Sequence, residues 1–305
     1  MTIQQCRYVL AIARSGSMNE AAKKLLVSQA SLSAAVRELE DEFGIRIFDR
    51  SNKGVRVTKD GAEFIRYARQ LIAQYEVITD RYHGDDRNGI RHFTVTAQHY
   101  DFAAEAFVSF LKKLRDDYSV SLKEARTAQV IEDVLNLSSD MGILACLKEP
   151  GGSYMERYLR RNGLEFRELL ETRPHVFLGR QHPLAEKPSL RLEQLVDYPY
   201  VTYDQGEGGP MEFSEELTEH HISRKQVRIS DRATLMNLLL STDCYTVGTG
   251  IMTSALNQGS VMSIPLESPD VYAVALIYRA DVGLSEDAER FIRVLADVTG
   301  SGIEV

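Results

Sequence analysis

The residues with the most specific chemical pattern lie at 21–33, where the chain reads AAKKLLVSQASLS. An alanine-rich helical segment is followed by a short break, and Ser-Gln-Ala-Ser-Leu-Ser then begins another helix. Serine and glutamine at the start of a helix present short hydrogen-bonding groups beyond that end. Two helices joined by a short turn, with polar residues opening the second, are typical of a helix-turn-helix that binds duplex DNA.

Side chains suited to catalysis do not form a known catalytic motif. The sequence lacks His-Glu-x-x-His, Gly-x-Ser-x-Gly, a phosphate loop ending in Gly-Lys-Ser/Thr, and Cys-x-x-Cys. His182 precedes a proline in an expected loop, and His220 and His221 lie in a charged stretch that we expect to be exposed. A metabolic enzyme is therefore the weaker alternative, and we expect no metal site and no cofactor.

The three cysteines, Cys6, Cys146 and Cys244, are odd in number and far apart in the sequence. That usage fits the reducing cytoplasm, where we expect the protein to function. Cys146 and Cys244 lie in apolar strand-like runs, and apolar surroundings raise the pKa of a thiol rather than activating it. A thiol redox sensor of the same fold remains an alternative to a sensor of small molecules.

The chain has 305 residues and a formal net charge of −8, a length that predicts two or three domains. The charge is unevenly distributed. Residues 1–66 contain eleven Lys/Arg and eight Asp/Glu, so they carry +3 and the remainder carries −11. A basic head on an acidic body directs phosphate contact to one end. No apolar run is long enough for a membrane helix, and the N-terminus does not resemble a secretion signal.

Three helices are expected within the first 44 residues. The first runs from Gln4 to Arg14 with one apolar face, and Ser17 is suited to cap the second. Ser28 is suited to the N-cap of the third, because its hydroxyl can accept a backbone N–H that has no partner within the helix. Gly44 is suited to the C-terminal end of that helix.

A β-hairpin is expected next, because short alternating runs at 45–50 and 55–57 flank an Asn-x-Gly turn. This hairpin predicts a wing beside the three helices. A long helix then begins near Thr58 or Asp60. Its apolar positions step by four and three residues in an a/d heptad pattern: Phe64, Ala68, Leu71, Tyr75, Ile78 and Tyr82. This seam predicts a dimer through the long helix, in preference to packing on the protein's own body.

Beyond the polar segment 84–89, which we interpret as a hinge, strands alternate with helices. We expect strands at 92–96, 119–124, 141–147, 167–170, 175–179, 200–203, 226–229, 244–248 and 271–278, and helices at 102–118, 129–137, 192–196, 233–241 and 285–299. Alternation at this spacing predicts parallel α/β units arranged as two lobes with a cleft between them.

The sequence resembles the LysR-type transcriptional regulators over its whole length. The resemblance is carried by the motif at 21–33, by Leu39-Glu40 and Gly44, by Ile47-Phe48-Asp49-Arg50, by Val57-Thr58 and by Gly61. Ser139–Ile143 and Gly248–Ile251 resemble two further family motifs, although the proline that usually follows the second is missing. The family fold is an N-terminal winged helix-turn-helix, a long linker helix, and a two-lobed α/β effector domain like that of periplasmic binding proteins.

The resemblance implies these domain boundaries. Residues 1–58 form the DNA-binding domain, 59–88 the linker and dimerisation helix with its hinge, and 89–305 the effector-binding domain. Within the last, lobe I is expected at about 89–165 and 267–305, and lobe II at about 166–266.

For DNA, the resemblance implies that the start of the third helix faces the major groove and that the wing meets the backbone or the minor groove. The residues concerned are Ser28, Gln29, Ala30, Ser31, Ser33 and Arg37 on the helix, and Arg50, Asn52, Lys53 and Arg56 on the wing. Gln29 is the best base reader, because an amide can bond both N7 and N6 of adenine. The alternative for the wing is a basic hairpin exposed only to solvent.

For a small-molecule effector, the family motifs imply a site built from four segments. Its expected residues are Gln98, His99, Tyr100, Thr127, Gln129, Tyr203, Asp204, Gln205, Thr234 and Thr249. Asp101, Asp204 and Asp231 lie near these segments and disfavour a bare carboxylate ligand unless Arg126 or Arg232 neutralises them. Each residue has ordinary capping or turn chemistry as its alternative role.

The expected partners are a double-stranded DNA operator, a small-molecule effector and other copies of this chain, as a dimer through the linker helix and as a tetramer; RNA polymerase is a further candidate, and no membrane partner is expected. A winged helix that only shapes DNA is a third alternative. An α/β body of some 210 residues argues against it, because a scaffold needs no cleft.

Overall fold

The protein is described here from a computed structural model that covers residues 1–51, 54–83, 90–205, 223–252 and 259–303, with backbone only for 50, 51, 77 and 80–83. The chain divides into two compact units, Met1–Ile90 and Arg91–Val305. Each has its own buried apolar cluster. No helix in the described ranges is both long and apolar enough to cross a membrane.

The first unit begins with three helices, α1 (Ile3–Ser15), α2 (Met18–Leu25) and α3 (Gln29–Phe43). Ser17 and Ser28 cap α2 and α3 through hydroxyls that accept backbone N–H groups, as the sequence predicts. Gly44 ends α3 in the left-handed conformation, φ 62°, that favours glycine. The core of the unit lies between the three helices and contains Val9, Ile12, Ala21, Leu32, Val36 and Leu39.

The predicted hairpin is present as the antiparallel strands β1 (Phe48–Ser51) and β2 (Gly54–Val57). The N–H of Val55 donates to the carbonyl of Gly16 at 3.0 Å, so β2 is tied to the turn between α1 and α2. Asn52 and Lys53 lie outside the described residues. This hairpin is the wing.

The long helix α4 spans Lys59–His83. The predicted apolar seam is buried in the N-terminal part of this helix and exposed further along it. Its N-terminal part packs on the protein's own α1, where Ala68 and Phe64 join Cys6 and Ile72 in one apolar cluster. The later seam residues are exposed: Leu71 38 %, Tyr75 37 % and Ile78 58 %. The N-terminal half of the seam therefore packs on the protein's own α1, and the dimer through the exposed half stays a prediction. The side chain of Tyr82 and the segment 84–89 lie outside the description.

The second unit contains ten strands and several helices within its described ranges. The strands are β3 (Arg91–Ala97), β4 (Tyr118–Glu124), β5 (Met141–Leu147), β6 (Leu164–Thr172), β7 (His175–Gly179), β8 (Tyr200–Tyr203), β9 (Gln226–Ile229), β10 (Tyr245–Gly248), β11 (Val261–Pro265) and β12 (Tyr272–Arg279). The helices are α5 (Asp101–Leu111), α6 (Thr127–Leu135), α7 (Tyr154–Arg161), α8 (Arg232–Ser241) and α9 (Glu286–Thr299), with a 3-10 turn at Leu192–Leu195.

The strands form two five-stranded sheets, in the orders β4-β3-β5-β12-β6 and β11-β7-β10-β8-β9. Pairing is parallel within β4-β3-β5 and within β10-β8-β9, as strand–helix alternation predicts. Strand–helix alternation did not predict the antiparallel pairs: β12 runs antiparallel to β5 and β6, and β7 runs antiparallel to β10 and β11. The chain leaves the first sheet between β6 and β7, and it returns to that sheet between β11 and β12.

The passage between the sheets lies later than expected. β6 at 164–172 pairs along its length with β12 and so belongs to the first sheet, although we assigned residues from 166 onward to the second lobe. The chain leaves through Arg173 and Pro174 and returns after Pro265. The N–H of Leu266 donates to the carbonyl of Pro174 at 3.0 Å, so the two passages are bonded to each other.

Candidate functional site

The first turn of α3 presents a polar surface at the end of the helix-turn-helix. Gln29, Ala30 and Ser31 are exposed, whereas Ser33 is half-buried. The hydroxyl of Ser28 accepts the N–H of Ser31 at 3.0 Å and lies 2.8 Å from the Ser31 hydroxyl. These two serines therefore bond to each other and to the helix end, which leaves Gln29 as the extended side chain in the first turn.

Two arginines flank this surface. Arg37 lies two turns further along α3 and is exposed, and Arg56 is exposed on β2. Arg50 lies in β1, opposite Val55, but its side chain is outside the description. Cations at these places are suited to phosphates, which position a protein on DNA without reading sequence.

The wing is held against α3 by Glu40. One oxygen of its carboxylate accepts the N–H groups of Ile47 and Phe48 at 2.7 and 3.1 Å. Thr58 closes the other side, because its N–H and hydroxyl donate to carbonyls of Ile47 and Arg46. A side chain at Gly61 would overlap the carbonyl of Ile47, so only glycine fits there. Glu40, Thr58 and Gly61 all belong to the family motifs, but their role in holding the wing is visible only in the structure.

The second candidate site is a pair of small adjoining cavities between the two sheets of the second unit, of about 70 and 40 Å³. On one side both are lined by residues between β3 and the start of α5, and on the other by strands of the second sheet and α8. Five of the ten predicted effector residues lie on their walls: His99, Tyr100, Tyr203, Gln205 and Thr249. The rings of His99 and Tyr203 stack across the cleft, with centroids 3.8 Å apart and planes 9° apart.

An ion cluster closes one side of this cleft. Arg232, at the start of α8, donates from one terminal nitrogen to Asp101 at 2.8 Å and from Nε to Glu124 at 3.0 Å. Asp101 begins α5 and Glu124 ends β4, so the guanidinium joins the second sheet to two elements of the first. The side chains of Arg232 and Asp101 are only 23 % and 13 % exposed.

Gln98 and Thr127 do not reach the cavities, since both are fully buried beneath them. The Gln98 amide donates to the Thr127 hydroxyl, and its carbonyl accepts from the N–H of Ala145 and from the Tyr100 hydroxyl. These bonds occupy the amide. They join the segment before α5 to β5 and to the start of α6.

The other three predicted residues also lie away from the cavity walls. Gln129 is exposed and bonds Asp133, and Asp204 is exposed at the end of β8. Thr234 donates its N–H and hydroxyl to Asp231, the N-cap of α8, at 2.8 and 2.7 Å. The hydrogen bond from the Thr234 N–H lowers the pKa of Asp231 most, and the bond from the Thr234 hydroxyl lowers it further. Capping chemistry accounts for this pair.

Several cavity residues escape sequence analysis because they belong to ordinary strand and helix patterns. They are Phe177, Tyr200, Thr202, Leu235 and Thr246. Alternation along a strand shows which residues share a face. It does not show which end of a strand meets a cleft. Arg232 and Asp101 were recognised only as charges near the site.

The cysteines do not form a redox pair. Cys6, Cys146 and Cys244 are all buried and free. Burial raises the pKa of Cys146, which lies 3.5 Å from the hydroxyl of Ser153. Burial also raises the pKa of Cys6. Within the described ranges, no group of three or more His, Cys, Asp or Glu side chains is arranged to hold a metal ion.

A winged helix-turn-helix carried in one chain with a two-sheet α/β unit and a cleft defines a class, the transcriptional regulators with an effector-binding domain. Two family models match: "Bacterial regulatory helix-turn-helix protein, lysR family" at residues 3–62, and "LysR substrate binding domain" at 98–300. The chain belongs to the LysR family of transcriptional regulators, and it is not an enzyme.

Relatives agree in length and fold. The uncharacterized HTH-type transcriptional regulator YbhD of Escherichia coli is 25 % identical over 94 % of this chain and 88 % of its own. The hydrogen peroxide-inducible genes activator of Haemophilus influenzae is 24 % identical over 97 % of both chains. Among solved structures, full-length CbnR complexed with its target DNA is 17 % identical with a TM-score of 0.54, covering 98 % of this chain and 100 % of CbnR.

A mutant OxyR from Corynebacterium glutamicum is 19 % identical with a TM-score of 0.55, covering 97 % of this chain and 91 % of that one. At these identities, the solved structures show the fold alone. The identity of any effector has to be argued from the cleft of this chain.

Proposed function

We propose that this regulator binds a DNA operator through the first turn of α3 and the wing, and that a small molecule in the cleft between the two sheets controls that binding. The observation that carries the DNA half is the exposed Gln29 in the first turn of α3, beside serines that bond to each other and to the helix end. A side-chain amide can bond adenine bidentately in the major groove.

The effector half is supported by the cleft. Its walls combine aromatic rings with a few hydroxyl and amide groups, which is typical of small-molecule sites. Both sides of the cleft contribute: His99 and Asp101 follow β3 of the first sheet, whereas Tyr203 ends β8 of the second sheet and Arg232 begins α8. A ligand between them therefore changes the contacts that hold the sheets together, and that is a physical basis for control.

The DNA half is tested with Gln29→Ala and Arg56→Ala. The operator is first selected from random duplexes on the full-length protein and located by footprinting. Gln29→Ala is expected to lower the preference for operator over scrambled DNA by about 1–3 kcal/mol, because a base contact is lost. Arg56→Ala is expected to weaken both duplexes alike and to reduce the salt dependence, because a phosphate contact is lost.

Gln129→Ala is a suitable control variant, since Gln129 is exposed on α6 in the second unit and the same side chain is removed there. Equal losses on operator and scrambled DNA for Gln29→Ala would contradict base reading by this residue.

We also propose that the exposed part of the α4 seam, Leu71, Tyr75 and Ile78, forms a dimer contact. Apolar side chains at heptad spacing on one helix are suited to a second copy of the same helix. A dimer places two reading helices on one duplex, which predicts an operator with two related half-sites.

Thiol redox sensing is the alternative function, and the similarity to a hydrogen peroxide-inducible genes activator suggests it. The buried, separate cysteines and the raised pKa of Cys146 favour small-molecule control instead. If oxidant shifts the DNA footprint and Cys146→Ser abolishes that shift, the effector proposal is wrong.

A further inference from the structure

We propose that the cleft binds a small organic cation, an amine or methylated ammonium, rather than the carboxylate that an arginine in a cleft would suggest. The proposal rests on the cleft being the effector site and adds the chemical class of the ligand. It depends on two features: the aromatic walls and the charge balance around Arg232.

The walls of the larger cavity are unusually rich in rings for so small a space. Five aromatic side chains line it: His99, Tyr100, Phe177, Tyr200 and Tyr203. Of these, Tyr200 is 2 % exposed and fixed in the second sheet. His99 and Tyr203 stack and so cover one face of each other, and Tyr100 stacks on Phe102, which leaves one face of each of these three rings for a ligand. The face of an aromatic ring carries partial negative charge and attracts cations, most strongly where water is excluded.

The charges around the cleft sum to a negative value. Within the described ranges, Asp101, Arg232 and the imidazole of His99 are the ionisable acidic and basic side chains on the cavity walls. Glu124 contacts Arg232, and Asp231 lies near His99 outside the walls. With histidine counted as neutral, Asp231 adds to the negative charge. Two carboxylates and one guanidinium leave a net charge of about −1. The guanidinium is already engaged by both carboxylates, at 2.8 and 3.0 Å.

An anionic ligand would have to displace one of those carboxylates from Arg232. Displacing Asp101 removes the cation from a carboxylate whose side chain is only 13 % exposed. An unpaired charge that is shielded from water is unfavourable. A cationic ligand displaces nothing, because it adds a positive charge to a cluster that is short of one. The cavity therefore discriminates against carboxylates by an unfavourable exchange and favours cations by direct attraction.

The size of the cavities limits the ligand. Volumes of about 70 and 40 Å³ accommodate only a few non-hydrogen atoms in the closed cleft. A trimethylammonium or short alkylammonium head is of that order. Thr246, on β10 at the cavity wall, supplies a hydroxyl group for a polar tail.

The test uses three probes of the same shape and different charge: choline, its neutral isostere 3,3-dimethyl-1-butanol, and the anion 3,3-dimethylbutanoate. Binding to the full-length protein is measured by titration calorimetry and ligand-observed NMR at low salt. Choline is expected to bind about tenfold more tightly than the alcohol, and the carboxylate most weakly. The class is wrong if the carboxylate is the tightest, if the alcohol equals choline, or if none of the three gives saturable binding.

Matched variants locate the effect. Tyr203→Leu keeps apolar bulk without a ring and is expected to remove most of the preference for choline, whereas Tyr203→Phe is expected to retain it. Asp101→Asn frees part of Arg232, so the carboxylate is expected to gain affinity and choline to lose it. Gln129→Ala, outside the cavities, is the control, and thermal unfolding verifies that each variant is folded.

Measuring DNA binding on the same samples separates this inference from the proposed function. Saturable binding of the carboxylate in preference to choline, with operator binding altered by it, overturns the ligand class and leaves the regulator intact. Binding of choline in the cleft without any effect on operator binding overturns the effector half of the proposed function and leaves the ligand class standing.

Discussion

His182 shows how a single buried side chain couples this fold to pH. Its Nδ1 accepts the N–H of Leu184 at 3.1 Å, its ring packs on Tyr198, and the backbone and carboxylate of Asp243 lie close to the ring. Burial lowers the pKa of His182 from its usual value. The sequence placed this histidine in an exposed loop, but it is only 4 % exposed. Helix and strand periodicity carries no information on the burial of a loop.

The lowered pKa predicts a loss of stability in acid. Below about pH 6.5 the unfolded chain takes up a proton at His182 that the folded chain resists, so the free energy of unfolding falls as pH decreases. His182→Asn keeps an acceptor for the Leu184 N–H and removes the titration. We expect the variant to lose less stability than the wild type between pH 8 and pH 5.5 in urea unfolding. Parallel losses would show that the ring titrates normally.

Gln98 shows where residue-level prediction reaches its limit. The motif and its place after β3 indicated correctly that this segment lies at the cleft, and its neighbours His99 and Tyr100 line the cavities. Gln98 itself is directed inward and fully bonded. Successive side chains of an extended segment alternate in direction, and which of them faces a cleft depends on packing far away in sequence.

At the scale of the element, Glu40 is the link between α3 and the wing. We expect Glu40→Ala to lower the free energy of unfolding of the first unit by about 1–3 kcal/mol, because two N–H groups lose their acceptor. Glu40→Gln keeps one carbonyl oxygen, and both N–H groups donate to a single oxygen in the wild type, so its effect is expected to be smaller. Urea unfolding and hydrogen exchange at Ile47 and Phe48 measure the difference. Equal effects of the two variants would contradict this role of the acceptor.

The divided seam of α4 gives the second prediction at this scale. Ile78→Glu is expected to weaken self-association by at least about tenfold, since a carboxylate replaces an apolar contact. Gln74→Glu adds the same charge to an exposed position of the same helix off the seam, and it serves as the control. Sedimentation over a range of concentrations measures both. If the two variants associate equally well, the contact lies elsewhere.

The elements were predicted unevenly from the sequence. The three N-terminal helices and the wing follow from caps, periodicity and a turn signal that act locally. By contrast, α7 and β11 were missed, and the antiparallel return through β12 was not foreseen. Strand direction depends on where the chain crosses between sheets, and no local signal marks Thr172 as the last residue before that crossing.

At the scale of the whole molecule, Arg232 and Asp101 connect the two sheets of the second unit. A double-mutant cycle with Asp101→Asn and Arg232→Gln is expected to give a coupling energy of about 1–3 kcal/mol, because both side chains are mostly shielded from water. A cycle on the exposed pair Glu289 and Arg293 within α9 is expected to give a smaller value. Equal couplings in the two cycles would mean that the ion cluster does not hold the sheets together.

The two bonded passages between the sheets, at Arg173–Pro174 and after Pro265, have a consequence for the energetics of control. Rotation about them breaks no pairing inside either sheet, so the work of separating the two sheets falls on the contacts between them. These include the ring stack, the ion cluster, the hydrogen bond from the Thr172 hydroxyl to the Thr249 carbonyl, and an apolar core shared by both sheets. A ligand of few atoms supplies at most about 1.5 kcal/mol per atom, and it shifts an equilibrium only by its differential affinity for the two states. Because the sheets also share an apolar core, such a small molecule is expected to act by adjusting the contacts at the cleft rather than by separating the sheets completely.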